Sequence, residues 1–225
     1  ESRQNYRHPD RVVVTGTPVR LDFLKEDKLT ARRELGLPED RPLVASVWGS
    51  LGAAHMNEIM ADFIVRACAN PFFSLIHSAG KGGYKGMVET LEKEKPDYRE
   101  RGMDVRDYIY DMPRVMAAAD LVLCRAGAST LAELTAMGKP AVLIPSPNVT
   151  NNHQERNARV LEDAGGAQVL LEGEFTADSL RGLVSELLHR PERLEAMSKA
   201  MKTLAVADST ERIASLVLSL AGKGK

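Results

Sequence analysis

The arrangement of apolar residues along the chain is the feature that most constrains its fold. From about residue 42 onward, short apolar runs alternate with longer stretches in which apolar residues recur at helical spacing. Several runs are apolar throughout, which is typical of strands buried on both faces of a parallel sheet. The predicted strands are Leu43–Val47, Phe72–His77, Val105–Ile109, Leu121–Cys124, Ala141–Ile144 and Gln168–Leu171. The predicted helices between them are Asn57–Ala69, Tyr84–Lys93, Pro113–Ala118, Thr130–Met137 and Gln154–Ala164.

Strands that alternate with helices in this way predict an α/β fold with a doubly wound, parallel, six-stranded sheet. Beyond Leu171 the pattern changes to three successive helices with no strand between them, over Phe175–Leu188, Pro191–Leu204 and Ser209–Ala221. The first forty residues predict a lone strand, a turn and a short helix, over Arg11–Thr15, Gly16–Arg20 and Lys28–Leu35.

Composition excludes several classes of protein. The 225 residues carry 30 basic and 31 acidic side chains, and this balance argues against nucleic acid as the main partner. Cys68 and Cys124 lie in apolar runs, which favours buried free thiols in a reducing compartment. No apolar stretch approaches the ~20 residues that span a bilayer, and the polar start, which lacks a Met, is no signal peptide. We therefore expect a soluble, intracellular chain that is a piece of a longer protein.

Two loops at strand ends carry glycine or hydroxyl residues. Ligands of doubly wound sheets bind at the carboxyl ends of the strands. Trp48–Ala54 follows the first strand, and its two glycines allow either close approach to a phosphate or simply a tight turn. Arg125–Glu133 follows the strand Leu121–Cys124 and brings Ser129 and Thr130 to a helix start. Here Thr130-x-x-Glu133 also matches a capping box, in which Glu133 would bind its own helix and no ligand.

A third loop, Pro145–Asn157, is rich in amide side chains. It contains four asparagines and a glutamine. Amides both donate and accept hydrogen bonds, so together they suit the hydroxyl groups of a sugar. Singly, they are also common turn formers and helix caps. The cluster favours a polyol ligand.

Other familiar sites are not indicated. Gly80–Gly83 lacks the Gly-Lys-Ser/Thr ending of a P-loop. No two aspartates are spaced i, i+2, so the metal–diphosphate motif of metal-dependent sugar transferases does not occur. The five histidines show no metal-ligand spacing, and no Ser/His/Asp order is compelling. We expect neither a metal nor another cofactor.

The combined motifs resemble one family closely. They are Arg125–Glu133, Gly138–Pro147, Asn151–Ala158, Trp48–Ala53 and Gly16–Arg20, which together extend over nearly the whole chain. They resemble the MurG family, the transferases that move N-acetylglucosamine from its UDP donor onto lipid I to make lipid II in peptidoglycan synthesis. Thr17 stands where many members have Asn, and Trp48 where many have Gly.

The resemblance implies a fold and a domain organisation. Members have a GT-B fold of two Rossmann-like domains, of which the C-terminal one binds the donor. The chain resembles that domain alone, since no Gly-Gly-Thr-Gly-Gly-His loop of an acceptor domain occurs. Residues 1–20 would then be the hinge and a remnant of the acceptor domain, and 21–204 the UDP-N-acetylglucosamine-binding domain. Residues 205–225 would form a helix that packs back on the acceptor domain.

The resemblance also implies site residues. Ile109 would offer backbone groups to the uracil edge, with Arg20 on the side of the base, and Glu133 would bind the ribose hydroxyls. This favours the ligand role of Glu133 over the capping box, although both are compatible in different states. The residues implied for the diphosphate are Ser50, Ser129 and Thr130. Those implied for the sugar are Ala128 through its backbone, Gln154, Asn157 and, near the sugar, His153.

The implied reaction is an inverting, metal-independent transfer in which no residue of this chain acts as the catalytic base. The partners would be UDP-N-acetylglucosamine here and lipid I on the other domain, with contact to the inner membrane's cytoplasmic face only through the full-length enzyme. Alternatives are a stand-alone nucleotide-sugar-binding subunit and a UDP-sugar 2-epimerase, although the amide-rich loop argues against the epimerase. A dinucleotide-dependent oxidoreductase is disfavoured because the Gly-x-Gly-x-x-Gly loop does not occur.

Overall fold

The computed structural model describes residues 6–49 and 53–222. Within these ranges the strands are β1 Leu43–Val47, β2 Ser74–Ser78, β3 Met103–Arg106, β4 Leu121–Cys124, β5 Ala141–Leu143 and β6 Ala167–Val169. The first helices are α1 Leu21–Lys25, α2 Lys28–Glu34, α3 Ala54–Ala67, α4 Tyr84–Glu94 and α5 Met112–Ala118. The remaining helices are α6 Ala128–Met137, α7 His153–Asp163, α8 Ala177–Leu188, α9 Pro191–Thr203 and α10 Ser209–Gly222.

The six strands form one parallel sheet in the order β3-β2-β1-β4-β5-β6. The fold class predicted from the sequence is confirmed. The chain builds outward from β1 to β3, returns to the centre, and builds outward again from β4 to β6. The carboxyl ends of β1 and β4 therefore meet at the switch point of the sheet, where doubly wound folds bind ligands.

Alternate residues along the strands supply two separate cores, one on each face of the sheet. Val44 and Leu75 face the core that α3 and α8 cover, whereas Ala45 and Ile76 face the core beneath α5 and α6. Burial of both faces explains why the strands are apolar throughout. It also fixes the positions of the strand ends that carry the site.

The structure corrects the prediction for the start of the chain. The lone strand predicted at Arg11–Thr15 does not form. Pro9–Arg11 is a short 3-10 turn, and residues 12–20 carry no ladder to a strand in the described part of the chain. Val13 and Val14 are exposed, so β-forming composition alone does not produce a strand without a partner. The helix α1, which contains the buried Phe23, was not predicted.

The third strand is also corrected. It ends at Arg106 rather than at Ile109. The Asp107 carboxylate accepts the next backbone N–H, that of Tyr108, at 2.7 Å, and this local bond replaces the ladder. Ile109 therefore lies in a loop at the carboxyl edge of the sheet.

The C-terminal part of the chain is helical, as the sequence predicts. The helices α8 and α9 pack on the domain, whereas in α10 only Ser209 is buried. Val217, Leu218 and Leu220 of α10 are exposed. In the stretches that the structure describes, none of the helices combines the length and the apolar character needed to cross a membrane.

Candidate functional site

The loop after β3 presents free backbone groups at the carboxyl edge of the sheet. The Ile109 side chain is buried and anchors this loop in the core beneath α5. Within the described ranges, neither the N–H nor the C=O of Ile109 forms a hydrogen bond. Pro113, four residues on in α5, has no N–H with which to pair that carbonyl. One donor and one acceptor therefore remain available to a ligand such as the edge of a base.

The start of α6 is the second element of the site. Gly127 is its N-cap and supplies no side-chain cap, and the first backbone bond runs from the Leu131 N–H to the Gly127 carbonyl at 3.0 Å. Across residues 6–49 and 53–222, the N–H groups of Ala128, Ser129 and Thr130 and both hydroxyls find no partner. A helix start with free donors and the positive end of its dipole favours a phosphate.

Glu133 lies one turn into α6, and the structure rules out its capping box. The helix begins at Ala128, so Thr130 is its third residue rather than its N-cap. In the described structure the Glu133 carboxylate has neither a hydrogen bond nor an ion pair, although it is partly buried. Burial raises the pKa of Glu133 from its usual value, while the positive charge of Arg20 opposes that rise. A partly buried carboxylate without an internal partner is a candidate ligand-binding group.

Arg20 lies close enough to Glu133 to affect its pKa. It occupies the N-cap position of α1, and its guanidinium pairs with Asp22 at 3.2 Å and lies 5.1 Å from the centre of the Phe23 ring. The side chain is largely exposed, so it can move toward a ligand. The structure thus brings Arg20, which the sequence places over a hundred residues from Glu133, to the same side of the site.

The amide-rich loop after β5 has an unusual backbone. Asn151 and Asn152 both adopt left-handed conformations, at φ 56° and 51°, which asparagine tolerates better than most residues. They lead into α7, where the Gln154 side-chain oxygen accepts the Ser146 N–H at 3.0 Å. Gln154 therefore shapes the loop with its oxygen, and its NH2 group has no partner among the residues that the structure describes.

Asn157 and His153 differ in their surroundings. Asn157 lines a cavity of about 410 Å³ together with Ala128, so two of the predicted sugar-binding residues share one space. The exposed His153 ring nitrogen Nδ1 lies 2.9 Å from the Thr150 carbonyl oxygen. His153 lines neither this cavity nor the neighbouring one described next. Ser50, predicted to bind the diphosphate, lies outside the described residues.

A second cavity, of about 430 Å³, lies between the loops that follow β1, β4 and β5. Its lining includes Trp48, Arg125, Asn148, Gln154 and Glu172. Arg125 and Glu172 form an ion pair, and each side chain is 14% exposed. Sequence reasoning assigned no role to either residue. No local signal links them, because they lie 47 residues apart and meet only after β5 has placed β4 and β6 in the same sheet.

A larger cavity, of about 620 Å³, lies at the opposite, amino-terminal edge of the sheet. Three of its charged groups pair with one another, since Lys28 and Arg32 lie 2.5 and 3.2 Å from Asp120. The cavities at the carboxyl edge are smaller, but the backbone donors and the Glu133 carboxylate there have no partner within the described part of the chain. We therefore place the candidate site at this edge.

Comparison with known proteins now adds to this geometry. The model of a protein family described as "Glycosyltransferase family 28 C-terminal domain" matches residues 44–213. The chain belongs to glycosyltransferase family 28. A relative from Acetivibrio thermocellus is 41% identical over 217 residues, which cover 96% of this chain and 58% of the relative. Another, from Thermoanaerobacter sp., is 40% identical over 220 residues and covers 98% of this chain and 60% of the relative.

Both relatives are named UDP-N-acetylglucosamine--N-acetylmuramyl-(pentapeptide) pyrophosphoryl-undecaprenol N-acetylglucosamine transferase. The chain spans about three fifths of the length of these two relatives. The crystal structure of Acinetobacter baumannii MurG matches with a TM-score of 0.72 at 22% identity, over 94% of this chain and 58% of that one. A structure titled putative UDP-N-acetylglucosamine 2-epimerase from Listeria monocytogenes matches with a TM-score of 0.66 at 15% identity, over 98% of this chain and 56% of that one. At these identities the two structures show the fold alone.

Proposed function

We propose that this domain binds UDP-N-acetylglucosamine as the donor half of the transferase that adds N-acetylglucosamine to lipid I. The observation that carries the proposal is the Glu133 carboxylate, which lies one turn beyond the donors at the start of α6; neither it nor they have a partner in the described ranges. A carboxylate accepts from the two hydroxyls of a ribose, and the helix start donates to a diphosphate. The names of relatives at about 40% identity supply the sugar and the acceptor.

The residues suit a nucleotide-sugar laid across the carboxyl edge of the sheet. Uracil would pair with the Ile109 backbone beside Arg20, and ribose with Glu133. The diphosphate would lie at Ser129 and Thr130, with Ser50 as a further ligand. The sugar would reach Ala128, Gln154 and Asn157, with His153 at its outer side.

The proposed chemistry is an inverting displacement. The acceptor hydroxyl oxygen bonds to the anomeric carbon, the bond from that carbon to UDP breaks, and the hydroxyl proton passes to a base. We assign no base in this chain and place it in the acceptor-binding half of the enzyme. Hydroxyls, backbone N–H groups and the α6 dipole stabilise the departing UDP here, and we propose that no metal or other cofactor takes part.

The acceptor in the relatives' names is a pyrophosphoryl-undecaprenol, a lipid-linked compound. We place the full-length enzyme accordingly in the cytoplasm, at the surface of the inner membrane and in contact with it outside this domain. The isolated domain would bind donor without transferring sugar.

Calorimetric titration of the chain with UDP-N-acetylglucosamine, UDP-N-acetylgalactosamine and UDP tests the proposal. Preference for the first ligand over its epimer is expected, because the amide side chains at the sugar end distinguish hydroxyl orientations. Equal affinity for both sugars would contradict the assignment of the sugar-binding residues. A chain that binds no UDP compound would contradict the proposed function itself.

A further inference from the structure

Glu172 is a largely buried carboxylate beside the site, and the proposed function gives it no role. It lies in a turn after β6, which the Glu174 N–H closes by donating to the Leu171 carbonyl at 3.0 Å. Gly173, the third residue of this turn, has φ 92°, a conformation that favours glycine. The turn holds Glu172 partly buried, facing the cavity, and leaves Glu174 exposed. Two neighbouring carboxylates thus have opposite surroundings.

The partner of Glu172 is Arg125, which joins the loops at the switch point. The Arg125 Nη1 atom also lies 3.2 Å from the carbonyl oxygens of both Ile144 and Pro145. Its guanidinium lies 5.8 Å from the centre of the Trp48 ring. One side chain, in the segment after β4, therefore contacts the segments that follow β1, β5 and β6.

These contacts fix the backbone at the sugar end of the proposed donor site. Arg125 holds the carbonyls of residues 144 and 145, and Gln154 holds the N–H of Ser146 at 3.0 Å. Two successive peptide groups, 144–145 and 145–146, are thereby set before the chain reaches Asn148, which lines the same cavity. The orientation of Glu172 determines that of Arg125, and Arg125 determines the shape of this loop.

An ion pair with so little exposure is a costly way to join two loops. Removing both charges from water has a desolvation cost that an apolar contact of similar size avoids. The ion pair adds direction, because a planar guanidinium that donates to both a carboxylate and carbonyl oxygens is held in one orientation. That precision matters where a ligand must be held in one geometry.

We propose that Glu172 is a positioning residue for the sugar half of the donor, acting through Arg125 on the loop Ile144–Asn148. The inference rests on the proposed function, since it assumes a nucleotide-sugar at this edge. Glu172 makes no contact with the nucleotide half, which lies at Ile109 and Glu133. Its loss should therefore weaken binding of UDP-N-acetylglucosamine and leave binding of UDP unchanged.

The test compares four proteins by calorimetry with both ligands and by thermal unfolding. They are the wild type, Glu172→Gln, Glu174→Gln and Asp120→Asn. Glu174→Gln makes the same charge change two residues away in the same turn, at a side chain that has no ion pair in the described structure. Asp120→Asn instead weakens a comparably buried ion pair, with Arg32, at the opposite edge of the sheet.

Glu172→Gln should lower the affinity for UDP-N-acetylglucosamine about tenfold, the effect of one lost hydrogen bond, and change that for UDP less than about twofold. Glu174→Gln should change neither affinity. Asp120→Asn should lower the unfolding temperature and leave the ratio of the two affinities unchanged. A Glu172→Gln protein that unfolds before titration is replaced by Glu172→Asp, which keeps the charge but shortens the side chain and should still lower the affinity for UDP-N-acetylglucosamine more than that for UDP.

Equal losses for both ligands, or no loss in a folded Glu172→Gln protein, would overturn the positioning role. A loss of selectivity in Asp120→Asn would overturn it as well, because general destabilisation would then explain the effect. Wild-type protein that binds neither ligand overturns the proposed function, and this inference with it. The wild-type titration therefore distinguishes the two failures.

Discussion

Replacing Glu133 with Gln or Ala separates a ligand-binding role of this carboxylate from a role in folding. In the described structure Glu133 has no hydrogen bond and no ion pair, so neither substitution removes an internal partner. Burial raises the pKa of Glu133, which means that the folded protein disfavours the charged form. The free protein therefore keeps a charge that costs stability, as groups reserved for a ligand commonly do.

The size of the binding effect follows from the bonds that would be lost. A hydrogen bond to a charged group contributes about 1.5–3 kcal/mol, or roughly 10- to 150-fold in Kd. Glu133→Gln keeps an oxygen that accepts a hydrogen bond, so its loss of UDP affinity should lie near the lower limit. Glu133→Ala should lie near the upper limit.

The raised pKa of Glu133 also predicts a pH dependence of stability. Because the pKa of Glu133 is higher in the folded protein than in the unfolded chain, the folded protein holds this proton more tightly. The contribution of Glu133 to the free energy of unfolding should therefore fall as pH rises from about the ordinary pKa of 4.5 through the raised pKa. Glu133→Gln lacks this decrease and should be the more stable protein at pH 7.

Two assays measure the two effects. Calorimetry with UDP at pH 7 gives the change in affinity, and urea unfolding between pH 4 and pH 7 gives the change in stability. Glu100→Gln is the control, because Glu100 is exposed and has no ion pair within residues 6–49 and 53–222. UDP affinity equal to that of the wild type in a folded Glu133→Ala protein would refute the reasoning, as would a Glu133→Gln protein less stable than the wild type.

Two further predictions concern the fold. Burial lowers the pKa of His77 to about 3. Between pH 7 and pH 5 the unfolded chain therefore binds a proton at His77 that the folded protein does not bind. The contribution of His77 to the free energy of unfolding should fall by about 2 kcal/mol over this range. His77→Leu should lack this decrease in urea titrations. A variant with the same pH dependence of stability as the wild type would contradict the prediction. Gly138 ends α6 in the left-handed region at φ 65°, so Gly138→Ala should cost about 1–2 kcal/mol in urea unfolding. Gly182→Ala, inside α8 with open space around it, should instead gain about 1 kcal/mol, and the same sign for both alanine variants would refute this account.

The architecture could be predicted because its signals are local. Apolar runs such as Leu43–Val47 and Leu121–Cys124 coincide with the observed β1 and β4, since both faces of the sheet are buried. The start of the chain was predicted wrongly at Arg11–Thr15, since a strand needs a partner and a sequence does not show one. The end of β3 was misplaced because a single side-chain bond, from the Tyr108 N–H to Asp107, decides it.

The candidate site was predicted less completely. The ribose-binding role of Glu133, which only the resemblance to a family favoured over the capping box, stays a prediction, whereas the start of α6 at Ala128 excludes the capping box. The pairing of Arg125 with Glu172 was missed. It depends on the strand order β4-β5-β6, which no short motif records. The domain limits at residues 20 and 204 remain predictions.

The most direct measurement of the central claim is a map of backbone amide shifts by nuclear magnetic resonance as the chain is titrated with UDP-N-acetylglucosamine. The amides of Ile109, Ala128, Ser129 and Thr130 have no hydrogen bond in the described structure, and we predict that they shift most because the ligand becomes their partner. Shifts confined to the cavity around Arg32, at the opposite edge of the sheet, would contradict the account.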